Sequence, residues 1–372
     1  MKKILFVASI SGHITAFHLP YIEWFKEQGC EVHVASAKTK ELPEYVDKFF
    51  DVPFIRSPFS LKHIDVYKKL KHIVDKEQYD LISCHTPMAS VLSRLVSCST
   101  RKKGTKVVYM AHGFHFYKGS PILNWLTFYP IEKYLTRKTD GLICINNEDY
   151  ELITNKGSKK CVYHLVPGVG VESNRFKVVS NKEKISLKAK LGMSDSSFNL
   201  IYAAEFIPRK NHVFIIEAFH EYKELLIGVK CYFAGRGEHL DKMKALVDRY
   251  GLNEQICFLG FRTDIDEIYK ACDVGVSSSV QEGLPINIVE EMLCGLPILA
   301  SLERGHKELV KPDINGFLFD LNDKKGFIDS LLELKINKVL YSNFSVKSQE
   351  IGRDFSLENS LKELTKVYKL YL

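Results

Sequence analysis

The chain has 372 residues, of which 45% are hydrophobic and 26% charged, and its formal net charge is +7 at pH 7. These are the proportions of an ordinary soluble globular chain, long enough for two domains that each bury a core, and no apolar run reaches the about 18 residues of a membrane-spanning helix. The charge is uneven: residues 1–180 carry 26 Lys+Arg against 17 Asp+Glu, a net +9, and the remainder carries 26 against 28, a net −2. A basic first half points to an anionic partner, whether nucleic acid, a phosphate-bearing substrate or a membrane face. Nine cysteines lie singly, without a Cys-x-x-Cys pair. They argue for reduced thiols in the cytoplasm and against a disulfide framework or structural zinc.

The first strand is expected at Ile4–Ser9. Two lysines before an apolar run look like a signal peptide, but the run is short and passes into Ser11-Gly12-His13, so a buried strand ending in a glycine loop fits better. Further strands are expected at Glu31–Ser36, Leu81–His85, Lys106–Ala111, Gly141–Ile145 and Val162–Leu165, with helical spacing at Ala16–Gln28, Val66–Lys76 and Ala89–Ser97. The breaker-rich stretch Val166–Val171, followed by polar residues to Lys182, reads as a linker. A second alternating series places strands at Asn199–Ala203, Lys230–Ala234, Ile256–Leu259, Val274–Ser277 and Pro297–Ala300. Its helices fall at Val213–Tyr222, His239–Tyr250, Ile265–Ala271 and Ile286–Cys294, and an amphipathic helix follows at Leu357–Leu370. Alternation of this kind predicts an α/β protein of two doubly wound, Rossmann-like domains, residues 1–170 and 171–354, facing a cleft. Residues 355–372 form a C-terminal helix expected to pack back on the first domain. Ligands of such sheets bind beyond the carboxyl ends of the strands.

The most informative segment is Gln281-Glu282-Gly283-Leu284-Pro285-Ile286-Asn287-Ile288-Val289-Glu290. Glu282 falls on the loop after a buried strand; Glu290, eight positions on, falls in a helix that Pro285 is expected to open as its first residue. The N–H groups of Ile286 and Asn287 then point out of the helix start, where the dipole favours an anion such as a diphosphate. Lys210 follows another strand and precedes a helix with Asn211 as cap, which suits a cation for the same anion; a solvated Arg-Lys pair on a turn is the plainer alternative. Gly235-Arg236-Gly237 is a tight turn that lets the backbone approach a ligand, and Gly260-Phe261-Arg262 offers a shelf for a nucleobase. Asp264 and Glu267 read as a helix-capping pair, with Asp266 an ordinary first-turn acid and no metal at Asp-x-Asp.

In the first half, Ser11-Gly12-His13 is not a dinucleotide fingerprint. His112, beside Gly113 at a strand's end, suits hydrogen bonding to a sugar hydroxyl or proton movement, against the alternative of a structural histidine bonded to a loop carbonyl. His115, among aromatics, reads as packing. The apolar and aromatic stretch Pro121–Pro130 lies between Lys118 and the cations Lys133, Arg137 and Lys138. It reads as a surface that dips into an anionic membrane, with Lys118, Trp125, Phe128 and Lys133 as its markers. The basic segment Arg56–Lys76 is similar; a core-facing helix with a solvated basic side is the alternative.

In order and spacing, Glu282-x7-Glu290 followed by Glu-Met-Leu-Cys-Gly-Leu-Pro, the Lys210 segment, the Gly235–Gly237 turn and His112-Gly113 resemble the retaining glycosyltransferases of the GT-B fold, sugar-transferase family four. The resemblance covers nearly the whole chain, and the stretch from His112 to Lys133 is similar to bacterial capsule and exopolysaccharide transferases. It implies that Glu282 contacts the donor sugar's hydroxyls near the reacting carbon, that Glu290 binds the ribose, and that Lys210 neutralises the diphosphate with the N–H groups of Ile286 and Asn287. Gly283, Leu284 and Pro285 would belong to the same donor loop, and Gly235 to the donor site. Gly12 would let the first loop approach the diphosphate. His112 would sit on the acceptor side, and Gly260, Phe261 and Arg262 would border the base. One position departs from the family pattern: Ala204-Glu205-Phe206 stands where Gly-Arg-Leu is usual, so Arg209 becomes the candidate for the missing arginine.

The implied reaction moves a sugar from a nucleotide diphosphate, expected to be UDP, to a hydroxyl of a lipid-diphosphate-linked saccharide. The first domain would take the acceptor and the second the donor. Configuration would be retained by front-face attack, with the leaving phosphate taking the acceptor's proton. No metal and no cofactor beyond the substrate is expected, and the protein would be cytoplasmic and peripheral on the inner membrane face. An epimerase of the same architecture is one rival; it would need further acids and no acceptor surface. A nucleic-acid-binding protein using the basic half is another, but no such motif is present.

Overall fold

The structure, a computed structural model, describes residues 1–55, 57 and 60–372. Of the basic segment Arg56–Lys76, Arg56 lies outside the described residues. The chain divides into two compact units, Met1–Gly170 with Glu358–Leu372, and Val171–Leu357.

Among the described residues, the first unit holds seven strands: β1 (Lys3–Ile10), β2 (Glu31–Ala37), β3 (Lys48–Asp51), β4 (Leu81–His85), β5 (Lys106–Met110), β6 (Gly141–Cys144) and β7 (Val162–Leu165). They pair in the order β3-β2-β1-β4-β5-β6-β7, all parallel. Ile4 to Ala8 are fully buried, with Leu5 opposite His33 on one side and Ile82 on the other. Burial on both faces is why β1 reads as one apolar run without alternation. β3 was not expected. Its four residues begin with Lys48 and end with Asp51, both exposed on the sheet edge, so no alternating pattern marks it.

Two local expectations fail in this unit. Ser11-Gly12-His13 is not a loop but the start of a helix, Ser11–Phe17, directly after β1. The single helix expected at Ala16–Gln28 is two, Ser11–Phe17 and Leu19–Glu27, parted at His18. Pro20 explains the break: it has no N–H for the Ala16 carbonyl and its ring would clash with that carbonyl in a continuous helix, whereas in the first turn of a new helix it is tolerated. The last helix, Leu357–Lys369, also belongs here: the Tyr368 ring lies 5.1 Å from Phe25, and its hydroxyl is 2.9 Å from Ser83 Oγ.

The second unit has β8 (Phe198–Ala203), β9 (Val229–Ala234), β10 (Ile256–Gly260), β11 (Val274–Ser277), β12 (Ile298–Ser301) and β13 (Gly316–Phe319). Their order is β10-β9-β8-β11-β12-β13, again all parallel. β13 was not expected either. It docks because Gly316 passes the Ile298 carbonyl so closely that a Cβ would lie 2.0 Å from the oxygen. The stretch read as linker carries no helix or named strand from Val166 to Ser180; a helix that was not expected, Asn181–Lys190, begins at its end, and Ser180 caps it through Glu183 N at 3.2 Å. In each sheet the strand order reverses once, between β1 and β4 and between β8 and β11. Those switch points open a crevice at the carboxyl ends of the strands.

Candidate active site

Two loops leave the switch point of the second sheet side by side, one after β8 and one after β11. Val280 N donates to Arg209 O at 2.8 Å, the Tyr202 hydroxyl to Lys210 O at 2.7 Å, and Ser278 Oγ to Asn211 O at 2.8 Å. These bonds hold irregular backbone in place from buried side chains below it. Asn211 does stand at the cap of the helix His212–Glu221, but with φ of +50° and no side-chain cap bond, contrary to expectation. Asparagine tolerates that left-handed corner, and the corner aims Arg209 and Lys210.

Lys210 Nζ lies 2.5 Å from Glu282 Oε1, and Arg209 Nη1 lies 3.2 Å from Oε2 and 3.1 Å from the Gln281 carbonyl. Glu282 is 7% exposed. Burial pushes its pKa up, but the two cations outweigh burial and hold it below the ordinary carboxyl value. Two cations face one carboxylate, so the cluster keeps one positive charge for an anion. Arg304, which the sequence did not single out, donates from Nε to the Glu282 carbonyl at 3.1 Å and fixes the loop from beneath.

Pro285 is the cap residue, with φ of −77° and ψ of 106°, and Ile286 is the first helical residue. Proline therefore stands one position earlier than expected. Ile288 N and Val289 N both turn back to the Pro285 carbonyl, and the N–H groups of Ile286 and Asn287 fall in the first turn, which has no intrahelical acceptor for them. Gly283 and Leu284 carry the chain from Glu282 to this helix start.

Beside the cluster lies a cavity of about 410 Å³ whose lining includes Gly235, Arg236, Phe261, Arg262, Asn287 and Glu290. Tyr269 donates to Glu290 Oε2 at 3.2 Å, yet burial dominates and pushes the Glu290 carboxyl up to about 7. Phe261 is exposed, with the Arg236 guanidinium 5.0 Å over its ring. Gly235 lines the cavity, and the turn glycines also meet the chain itself: a Cβ on Gly235 would lie 1.9 Å from Ala204 O, and one on Gly237 would lie 2.5 Å from Phe206 O. They let the chain approach its own β8 loop. Gly260 accepts from Gly235 N at 2.8 Å and does not line the cavity. Arg262 is clasped by Asp264 at 2.8 and 2.5 Å, so Asp264 makes no side-chain cap bond and the expected capping pair does not form. Asp266 is more than a first-turn acid, since it pairs with Arg175 and Lys270. Glu205 lines the cavity where the family arginine would stand, while Arg209 remains with Glu282.

In the first unit, Gly12 N donates to Thr39 Oγ1 at 3.0 Å, so the expected open glycine loop is instead a helix turn satisfied from within the protein. His112 follows β5, and its ring is 4.8 Å from His13, 5.6 Å from His18 and 5.9 Å from His85. Nothing in their spacing along the chain joins these four. Burial lowers His112 to about 3 and His13 to about 4, and lowers His18 and His85 well below the ordinary value, with neighbouring histidines adding to it. Alongside is a second cavity, about 350 Å³, lined by Ser9, His13, Thr86, Met88, His115 and Phe128 among others. His115 thus borders open space and is exposed, beyond its packing on Phe128 at 5.0 Å. Thr86 has φ of +62°, a strained setting for a β-branched residue, and its Oγ1 accepts from Ser9 N at 3.0 Å.

The stretch after Lys118 is a helix, Ile122–Leu135. Lys118 and Lys133 are exposed. Trp125 and Phe128 pack against the core instead, and Trp125 Nε1 donates to Tyr117 O at 3.2 Å. The side chains that stand in solvent are Ile122 (77% exposed), Leu123 (64%) and Leu126 (69%). On the inner face Glu132 pairs with the fully buried Arg94, whose guanidinium lies 4.3 Å over the Tyr109 ring. No helix of the described residues is long and apolar enough to cross a membrane.

Comparison with known proteins agrees with this geometry. The model for glycosyl transferases group 1 matches residues 183–350, and a glycosyl transferase 4-like model matches residues 3–146. A putative glycosyltransferase EpsD of Bacillus subtilis is 40% identical over 100% of this chain and 97% of its own length. The UDP-Gal:alpha-D-GlcNAc-diphosphoundecaprenol alpha-1,3-galactosyltransferase of Escherichia coli is 28% identical over 95% of this chain and 92% of its own. The crystal structure of Anabaena Alr3699/HepE in complex with UDP and glucose superposes with a TM-score of 0.79 at 22% identity, covering 99% of this chain and 100% of that one. With a relative this similar along its full length, and with two Rossmann-like domains of GT-B form, the chain belongs to the group 1 glycosyltransferases.

Proposed function

We propose that this glycosyltransferase moves a sugar from a UDP-sugar to a hydroxyl of a lipid-diphosphate-linked saccharide during exopolysaccharide assembly, with retained configuration and without a metal at the donor. The observation that carries the donor half is the Lys210–Glu282–Arg209 cluster at the β8/β11 switch point, beside the cavity that holds Glu290. The diphosphate sits at the start of the helix Ile286–Leu293, where free N–H groups and Lys210 stabilise the charge that grows as the glycosidic bond breaks. On its arrival Lys210 turns from Glu282 to phosphate, and Glu282 is released to the sugar hydroxyls. Glu290 accepts from the ribose hydroxyls, and Phe261 with Arg236 shelves the base. The names of the Bacillus and Escherichia relatives and the UDP-bound Anabaena structure support the choice of pathway, acceptor and nucleotide. The exposed Ile122, Leu123 and Leu126, flanked by Lys118 and Lys133, support a peripheral contact with an anionic membrane.

The test is transfer itself. A panel of nucleotide sugars is incubated with a lipid-diphosphate N-acetylhexosamine in anionic and in zwitterionic vesicles, with and without chelator, and the product linkage is read by NMR. The reading requires one UDP-sugar to give a product of unchanged anomeric configuration, chelator-insensitive and faster on anionic vesicles. Inverted product, or turnover with soluble acceptors alone, overturns it.

The Glu290 carboxyl adds a pH dependence. Only the ionised form accepts from two hydroxyls, so UDP affinity is expected to rise as pH climbs through about 7. Below that value binding must first expel a proton and weakens by up to about tenfold per pH unit. Calorimetric titration of UDP between about pH 5.5 and 8 measures it, and Glu290→Gln should flatten the slope as well as lower the affinity.

A further inference from the structure

The four histidines of the first unit serve no step in the transfer reading as a group, yet the fold brings them together from three strand ends and a helix break. His13 lies in the helix that follows β1, His18 at the break after it, His85 at the end of β4 and His112 just past β5. They meet at the β1/β4 switch point, where a sheet of this kind places its ligands. His18 is 0% exposed, and neither of its ring nitrogens has a hydrogen-bond partner among the described residues. His13 Nε2 and His112 Nε2 are likewise buried and unpartnered. Buried polar atoms are nearly always paired, so several such nitrogens at one place call for a ligand that engages them together. His18 and His85 lie with ring centroids 3.8 Å apart, tilted by 33°, and His85 Nε2 shares a hydrogen bond with Ser83 Oγ at 3.1 Å, while its Nδ1 is a further buried nitrogen without a partner among the described residues.

Among the described residues, His13, His18 and His112 form the one group of three whose ligand atoms all lie within 4.8 Å of one another. We propose that these three imidazoles bind one Zn²⁺-class divalent cation. Neutral ring nitrogens are the donors such a metal prefers, and three of them leave a fourth position in a tetrahedral site. Metal–nitrogen distances of about 2.0–2.1 Å in a tetrahedral site put the nitrogens about 3.3–3.4 Å apart, so the rings close in as the ion binds. Hard, oxygen-seeking cations such as Mg²⁺ do not suit this set. The site is built wholly within the first unit, apart from the residues assigned to the donor, and stands whether or not the transfer reading holds.

The experiment uses the full chain purified without a polyhistidine tag, stripped with chelator, and titrated with Zn²⁺ alone. One equivalent is expected to bind, and at about 100-fold excess over the dissociation constant the unfolding temperature should rise by about 5–10 °C. Co²⁺ in the same site should give the visible bands of a tetrahedral nitrogen-ligated ion, without thiolate-to-cobalt charge transfer. His18→Asn and His13→Ala should each weaken binding at least 100-fold, while His72→Ala, on an exposed turn of the helix His63–Glu77, should leave it unchanged. If His18→Asn does not fold, the partly exposed His13 carries the comparison. Absence of a saturable equivalent, survival of tight binding in His13→Ala, or a thiolate signature from Co²⁺ each overturns the proposal.

Discussion

Lys210→Ala is expected to lower the transfer rate at least tenfold, about 1.4 kcal/mol, and by as much as about 10²–10³ if the lysine acts mainly on the leaving diphosphate. The loss has two physical parts. The first is the missing positive charge at the helix start, which is felt most as the glycosidic bond breaks and so should appear in kcat more than in KM. The second is the state of Glu282. Lys210 and Arg209 together hold this buried carboxyl ionised, against a burial that acts the other way. With only the half-exposed Arg209 left, Glu282 rises toward its buried value and becomes a poorer acceptor for sugar hydroxyls at neutral pH. Glu282→Ala should also cost at least tenfold, and the double variant should cost less than the two single losses multiplied, since each residue conditions the other. Rates measured at saturating donor check this; near-native turnover in either single variant removes the assignment.

Arg94→Ala should produce the largest loss of stability, about 3–5 kcal/mol in the first unit. Arg94 is 0% exposed and binds both oxygens of Glu132, with Nη2 3.0 Å from Oε2, while its Nε donates to the Ser90 carbonyl at 3.1 Å. Removing it strands a buried carboxylate and opens a space against Tyr109. The pair also joins the helix Pro87–Val96 to the helix Ile122–Leu135, so the helix with the exposed leucines loses its inner anchor. Urea unfolding followed by the fluorescence of Trp125 reads the effect. Arg94→Met with Glu132→Gln should recover most of it, because that change removes both charges together. A loss below about 1 kcal/mol for Arg94→Ala would show that the pair is not load-sharing in this way.

Both parallel sheets could be read from sequence because buried parallel strands leave continuous apolar runs with helices between them. The elements of the candidate site were equally readable: Lys210 and Glu282 lie on loops after strands that flank a switch point, Glu290 lies in the helix that follows, and their spacing survives in one dimension. Edge elements were not, since β3 and β13 are short and half-polar. The caps differ from expectation for separate reasons: Pro285 stands one position early, Asn211 sits in a left-handed corner, and only at Asp264 does a neighbouring side chain decide the outcome. Composition marks Trp125 and Phe128 as surface, but helical phase turns them inward and Leu123 and Leu126 outward. The histidine group was beyond reach for a different reason. Its members are separated by up to 99 positions, His13 to His112, and only the strand order unites them.

The insertion of Tyr368 beside Phe25 and Ser83 has a consequence for how the polypeptide matures. Residues 1–170 are completed by a helix that is made only after the second unit, so on the ribosome they wait with part of their hydrophobic interior uncovered while 171–357 emerge and can close on themselves. A fragment ending at Gly170 would inherit that unfinished state permanently, whereas the unit Val171–Leu357 is continuous in sequence.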